Sequence, residues 1–368
     1  MNKKQILTGV IVTAIAAASV YVGMTVTQTP DLIIAAQDVV ITQSGTPTDY
    51  FDVTCSGAVR SVRVRGSYVR LHDCEVTGSV THAIRIGTYP TATDVHHVIV
   101  ENVTVHNAVT ENGIYPACGT MGGGGWGSGI KAEKGSHDII IRNNNVYDNC
   151  GEGIAATMAW DVKIENNRVV DNFSVNIYVD NAYRVTVDSN QIACTGEVLR
   201  NGKRPLAIAI GEENYAGWGQ QLNDIRVTGN TGIDCHEGVS VFAGEFTSPF
   251  AGSIIIDNNN FPTGIHTVAI GLNRPRACPG IVVTNNIVWR LPVYTKCTGA
   301  VMANNVLPST TPLPATATRT PVPTTATRTA TPVITVTWTI SPAPTATRTP
   351  AICYAVEVGG TLIGQFCP

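Results

Sequence analysis

Residues 138–154 read D-I-I-I-R-N-N-N-V-Y-D-N-C-G-E-G-I. Three β-branched residues at period two lead into an asparagine run, and a second short apolar stretch ends in glycines. β-Branched residues suit a pleated strand, while Asn and Gly suit the corners that end one. The phrase therefore describes a strand, a sharp corner and another strand within a few residues.

The phrase recurs. It appears as I-I-I-R-N-N-N-V from Ile139, V-K-I-E-N-N-R-V from Val162, V-T-V-D-S-N-Q-I from Val185 and I-R-V-T-G-N-T-G from Ile225. Further copies are I-I-I-D-N-N-N-F from Ile254 and I-V-V-T-N-N-I-V from Ile281, with looser ones at Val69 and Val98. Its second asparagine falls at Asn144, Asn167, Asn190, Asn230, Asn259 and Asn286, in steps of 23, 23, 40, 29 and 27 residues. A short unit with insertions and no long helical stripe predicts an all-β solenoid, in which each coil buries its apolar face against its neighbours.

On these repeats, residues 31–307 resemble the right-handed parallel β-helix family that includes pectate lyases, other polysaccharide lyases and many glycoside hydrolases. The resemblance implies asparagines stacked at an inter-strand corner in left-handed backbone conformation. Asn tolerates positive φ better than bulkier residues, which agrees. It also implies an extended sugar polymer as partner, an Arg or Lys base in the lyases, and often Ca²⁺ held by carboxylates.

The remainder of the chain frames that domain. Residues 1–28 begin M-N-K-K before an apolar run and read as an export signal, with a retained membrane anchor as the alternative. Either reading places the rest outside the cytoplasm, secreted or at the cell surface, and the ten cysteines, none in a C-x-x-C pair, suit structural disulfides there. Residues 308–350 are mostly Thr, Pro and Ala and predict a disordered spacer, able to span on the order of 130 Å at ~3.1 Å per residue. The tail 351–368 reads as two short strands around Gly359-Gly360, with Cys353 and Cys367 placed to clasp them. A net charge of -3 and only 14% charged residues offer no field for nucleic acid. A monomer is expected, touching a membrane only through an uncleaved N-terminus.

Candidate chemistry lies on the strand that follows each asparagine corner. Aligning A-I-R-I-G, G-I-K-A-E, G-I-A-A-T, N-I-Y-V-D, A-I-A-I-G, G-V-S-V-F and T-V-A-I-G turns Ile84, Ile130, Ile154, Ile177, Val239 and Val268 inward. One outward column then reads Arg85, Lys131, Ala155, Tyr178, Ala209, Ser240, Ala269, and a second Gly87, Glu133, Thr157, Asp180, Gly211, Phe242, Gly271. Eliminative cleavage of a uronate polymer needs a base for the acidic proton, a cation for the neighbouring carboxylate and an acid for the leaving oxygen. Lys131 or Arg85 suits the base, Tyr178 the acid, and Glu133 with Asp180 a calcium- or sugar-binding pair. Asp180 is also a candidate catalytic carboxylate, and Glu152 in G-E-G-I adds another at the strand's edge.

Two insertions, residues 107–131 and 194–223, flank this face and carry Trp126 and Trp218 among glycines. Such rings stack on sugars, although both equally suit packing within their own loops. The run M-G-G-G-G-W-G-S-G lacks the Gly-Lys-Ser/Thr of a phosphate loop. A hydrolase remains open, since Glu133 and Asp180 would stand two rungs, ~10 Å, apart. However, the paired aspartates, Gly-His-Gly and Arg-x-Lys of polygalacturonases are missing. Cross-strand ion pairs on a solvated sheet would explain the same residues without any reaction. The neighbouring pairs His96-His97 and His236-Glu237 are not expected to share a metal, because adjacent strand residues face opposite ways.

Overall fold

The computed structural model describes residues 32–34, 38–309, 354–358 and 361–366, apart from residues 93, 120–125, 197, 215–217, 243–249, 267, 274–275 and 292–293. The expected export signal and nearly all of the Thr/Pro spacer lie outside the described residues. So does the glycine run before Trp126, as do Cys353 and Cys367. No described helix is long and apolar enough to cross a membrane.

The chain divides into two units, Met1–Thr310 and Thr311–Pro368. In the second, Tyr354–Val358 and Thr361–Phe366 pair as an antiparallel hairpin. The first unit is a solenoid of three parallel sheets with eleven, nine and ten described strands. One coil shows the plan: His137–Arg142 belongs to the first sheet, Asn145–Tyr147 to the short second sheet and Glu152–Thr157 to the third. Each strand pairs in register with its counterpart one coil away, so Ile139 meets Val162 and Val146 meets Val169. Alternation sends Ile139, Ile141, Val146, Ile154 and their counterparts into one continuous, fully buried core. Each such aliphatic side chain contributes about 1.5–3 kcal/mol by leaving water.

The asparagine corner divides two tasks between neighbouring residues. Asn144 Nδ2 donates to Asn167 Oδ1 at 3.0 Å, and Asn167 repeats this with Asn190. The chain of amides continues through Asn230, Asn259 and Asn286 to Asn305, one rung beyond the six read from the repeat. The left-handed residue is the one before each: Asn143, Asn166, Ser189, Gly229, Asn258, Asn285 and Asn304, with φ between 55° and 63°. The expectation that the stacked asparagines themselves adopt positive φ is thus corrected. The side chain that takes the left-handed turn cannot also point into the stack, so the first residue makes the corner and the second fills it. A shorter ladder, Asn149 to Asn172 to Asn176, lines the corner between the second and third sheets.

Among the described residues, four disulfides join Cys55 to Cys74, Cys118 to Cys150, Cys194 to Cys235 and Cys278 to Cys297. They therefore reinforce the coils and the insertions, where the asparagine ladder does not reach.

Candidate active site

The third sheet stacks Arg63, Arg85, Lys131, Ala155, Tyr178, Ala209 and Ser240 in one column, as the alternation requires. The last coil of the sequence alignment differs from its expected register. Val239 pairs with Ile270 and Ser240 with Gly271, so neither Val268 nor Ala269 occupies the position expected of it. The corner preceding this strand is two residues longer than in the coil before, and a shift of two preserves inside-outside alternation. Period-two patterning cannot detect such a slip.

A second correction concerns exposure. The outer face of this sheet is not a solvated surface: Glu133, Glu152, Tyr178 and Asp180 are buried, Asp180 completely. Much of the cover comes from the second insertion. Tyr178 donates its hydroxyl hydrogen to Glu213 Oε1 at 2.8 Å, and Glu213 N donates to Asn181 Oδ1 at 2.6 Å. Trp218 Nε1 donates to the Asn181 carbonyl, and Lys134 lies 5.6 Å from its ring. Trp126 packs against Phe173 while the Arg200 guanidinium lies 4.6 Å from its ring centre. Both tryptophans thus engage protein groups, and both stay half-buried at the rim of this face.

The charges sort into two neighbouring groups. Arg85 Nε donates to Glu133 Oε2 at 2.5 Å, and the same oxygen accepts from Tyr89 N at 2.9 Å. Lys131 Nζ lies 3.8 Å from Glu152 Oε2, which also accepts from Ser128 Oγ at 2.7 Å. Lys131 and Arg85 keep 15% and 16% of their side-chain surface, and Arg63 is likewise only partly buried, so an incoming anion can still reach all three. Glu133 and Asp180 are two coils apart in the second outward column, and neither joins a group of three ligands close enough to hold an ion among the described residues. Glu133 is paired with Arg85, and its spacing from Asp180 is the two rungs expected from the sequence.

Burial and neighbouring charge set the protonation states. Burial pushes the Glu152 carboxyl up, against the opposing pull of Lys131 and the Ser128 hydroxyl. Burial and the charges of Asp180, Glu213 and Glu152 raise Tyr178 well above the usual phenol range, so it stays a neutral proton donor. His82, whose Nδ1 accepts from Ser128 N, is driven well below the usual imidazole range by burial and then by Lys131, Arg85 and Arg63. Arg63 is lowered by burial and next by the charge of Arg85. Three stacked cations thus repel one another, and His82 beside them remains neutral. The arrangement supplies positive potential, a neutral phenol and a buried carboxylate around the small residue Ala155.

Sequence reasoning missed Arg63, His82, Arg200 and Glu213. Arg63 had a signal, since S-V-R-V repeats the phrase around Arg85 one coil earlier. Glu213 and Arg200 had none, because they lie in an insertion that the repeat does not place. A groove of about 420 Å³ also opens on the outer face of the first sheet, lined by residues that include Ile140, Lys163 and Thr186. Its lining also carries titratable groups, His97, Asp138, Asp161 and Arg184 among them, but it lies on another sheet from the column of Arg63, Arg85 and Lys131.

Residues 60–306, more than half of the chain, match the family described as the right handed beta helix region, and the chain belongs to that family. No match appears among curated proteins. Among solved structures, the chain is similar to the A-module of mannuronan C-5 epimerase AlgE6 from Azotobacter vinelandii, at 15% identity and TM-score 0.42. That alignment covers 72% of this chain and 62% of the module, so the chain spans less than two thirds of its length. An alginate lyase from Paenibacillus sp. str. FPU-7 is similar at 16% identity and TM-score 0.37, over 64% of this chain and 89% of the lyase. Likeness at this level carries no argument about the reaction, which has to come from the site itself.

Proposed function

We propose that the chain is an exported enzyme that binds an anionic polysaccharide along the third sheet and cleaves it by elimination. The observation that carries this reading is the column Arg63, Arg85, Lys131 on successive rungs, one small residue from Tyr178. Rungs lie ~4.8 Å apart, a spacing suited to charges repeated along an extended polymer. In the proposed step, Arg63 and Arg85 neutralise the uronate carboxylate, which acidifies the adjacent C–H. Lys131, beside Glu152, takes that proton in its neutral amine form and becomes the ammonium. The electron pair forms a carbon–carbon double bond as the glycosidic C–O bond breaks, and the Tyr178 phenol gives its proton to the leaving oxygen. The four disulfides are compatible with export.

The competing reading, a non-catalytic carbohydrate-binding protein, draws support from the depth at which Glu152 and Tyr178 are buried. One experiment separates the two. Incubation with neutral and acidic polysaccharides, with and without Ca²⁺, is followed by separate assays for ultraviolet-absorbing unsaturated ends and for reducing ends. Unsaturated ends from an acidic polymer are expected. Reducing ends alone would transfer the proposal to hydrolysis, and binding without new ends would leave only the display role.

A further inference from the structure

We propose that His236, Glu237 and His266 form a binding site for a zinc-like divalent cation. One donor atom from each lies within 4.8 Å of the other two. The expectation that His236 and Glu237 face apart assumes a strand, but they precede the strand Val239–Phe242 and occupy the corner between the second and third sheets. There alternation lapses, and the next coil brings His266 alongside.

Several observations mark this corner as a ligand site. Glu237 is buried, and its Oε2 and His266 Nδ1 have no hydrogen-bond partner among the described residues. The His266 Nδ1 to Glu237 Oε1 distance is 3.7 Å, too long for a hydrogen bond, and the two imidazole rings lie 4.0 Å apart. Burying a carboxylate and a ring nitrogen in this way is unfavourable unless something satisfies both.

The donor set selects the ion. Two imidazole nitrogens and one carboxylate oxygen suit Zn²⁺ and its late first-row relatives, leaving a position for water, whereas Ca²⁺ and Mg²⁺ prefer oxygen alone. Bonds of ~2.0–2.2 Å ask the donors to draw in by roughly an ångström. The backbone is anchored for this: Cys235, next to His236, is disulfide-bonded to Cys194, and Trp289 Nε1 donates to the His266 carbonyl at 3.0 Å. Lys203 contributes an opposing charge at His236 and Glu237. Ser240, in the outward column of the third sheet, interacts with Glu237 and connects the corner to the proposed polymer face.

The test is calorimetric titration of the tag-free, disulfide-intact chain with Zn²⁺, and with Ca²⁺ and Mg²⁺ as controls. One Zn²⁺ per chain is expected. Loss of a direct ligand in His266→Ala or His236→Ala should weaken it by more than the ~10–100-fold that losing a ligand's outer partner costs. His137→Ala, which alters the separate imidazole group with His96, should leave the affinity unchanged. Because a variant can fail to fold, a second measurement follows imidazole resonances of the unmutated chain, where those of His236 and His266 should shift with Zn²⁺. The proposal is overturned if the unmutated chain binds no Zn²⁺, if binding survives both ligand variants, or if other histidines respond instead. Neither measurement uses a polymer, so the result stands apart from the cleavage assay.

Discussion

The asparagine corner and the outer face of the third sheet both bury polar groups, yet they satisfy them differently. At the corner every rung repeats one solution, in which an amide gives to the next amide and accepts from the previous one. On the third sheet no two rungs agree: Arg85 meets Glu133, Lys131 meets Glu152, and Tyr178 meets Glu213 from an insertion. Uniform pairing of neutral groups specifies register and leaves no charge to exploit. Irregular pairing of buried charges raises or lowers proton affinity from rung to rung, which suits chemistry better than architecture.

That contrast breaks first at the buried ion pair of Glu212 and Arg276, at the end of the same sheet, where Arg276 Nη2 lies 2.5 Å from Glu212 Oε2 with both side chains 2% exposed. Arg276→Ala removes the cation facing this buried carboxylate and should destabilise by about 3–5 kcal/mol, read from denaturant midpoints. At the corner, Asn167→Ala removes an acceptor from Asn144 N and Nδ2 and a donor from the Ile141 carbonyl. A loss of about 2–3 kcal/mol is expected there, because buried groups left unmade are the costly ones. Should both variants unfold at the same denaturant concentration, the distinction between charged and neutral burial would be lost.

Activity and stability part company at Tyr178 and Glu152. Tyr178→Phe keeps the ring, which stacks 6.1 Å from Phe242, and removes the proposed acid. Turnover should fall about 10²-fold or more, ~2.7 kcal/mol, while the unfolding midpoint moves little. An unchanged rate would remove Tyr178 from the mechanism. For Glu152, the folded state holds its proton more tightly than the unfolded chain does. The stability linked to that proton is therefore present below the ordinary carboxylate range and is lost as pH rises through the raised folded value. Glu152→Gln should accordingly stabilise the protein more at pH 8 than at pH 4, and equal gains at both would refute the raised proton affinity.

These contrasts also explain what the sequence made legible. Repetition wrote the coil plainly, because each rung from Asn144 to Asn286 states the same solution and errors in one copy are corrected by the others. It placed Arg85, Lys131 and Tyr178 in one column for the same reason. It could not place Glu213 or Arg200, which belong to an insertion, nor join His236 to His266, which meet at a corner where period two does not apply. It also implied exposure where the insertions provide cover. Sequence periodicity reports which way a strand residue points, whereas burial on the outer side depends on segments that share no period.

The finest distinction lies within the corner itself, between Asn166 and Asn167. Asn166 has φ of 57°, and Asn167 carries the hydrogen bonds to Asn190 and the Ile141 carbonyl. If the two tasks are separate, Asn166→Gly should be tolerated, because glycine adopts positive φ without a Cβ clash. Asn166→Ala should cost about 1 kcal/mol, since alanine meets the left-handed penalty and lacks the local hydrogen bond that eases it for Asn. Both effects are smaller than that of Asn167→Ala, and the order Asn167→Ala, Asn166→Ala, Asn166→Gly can be read from one set of urea titrations. Neighbouring coils already supply a natural version of the experiment: Ser189 and Gly229 replace the first asparagine, yet Asn190 and Asn230 keep the second. Measured equality of Asn166→Ala and Asn167→Ala would mean that the corner acts as one unit. The ladder could not then be credited with stability apart from the turn that presents it.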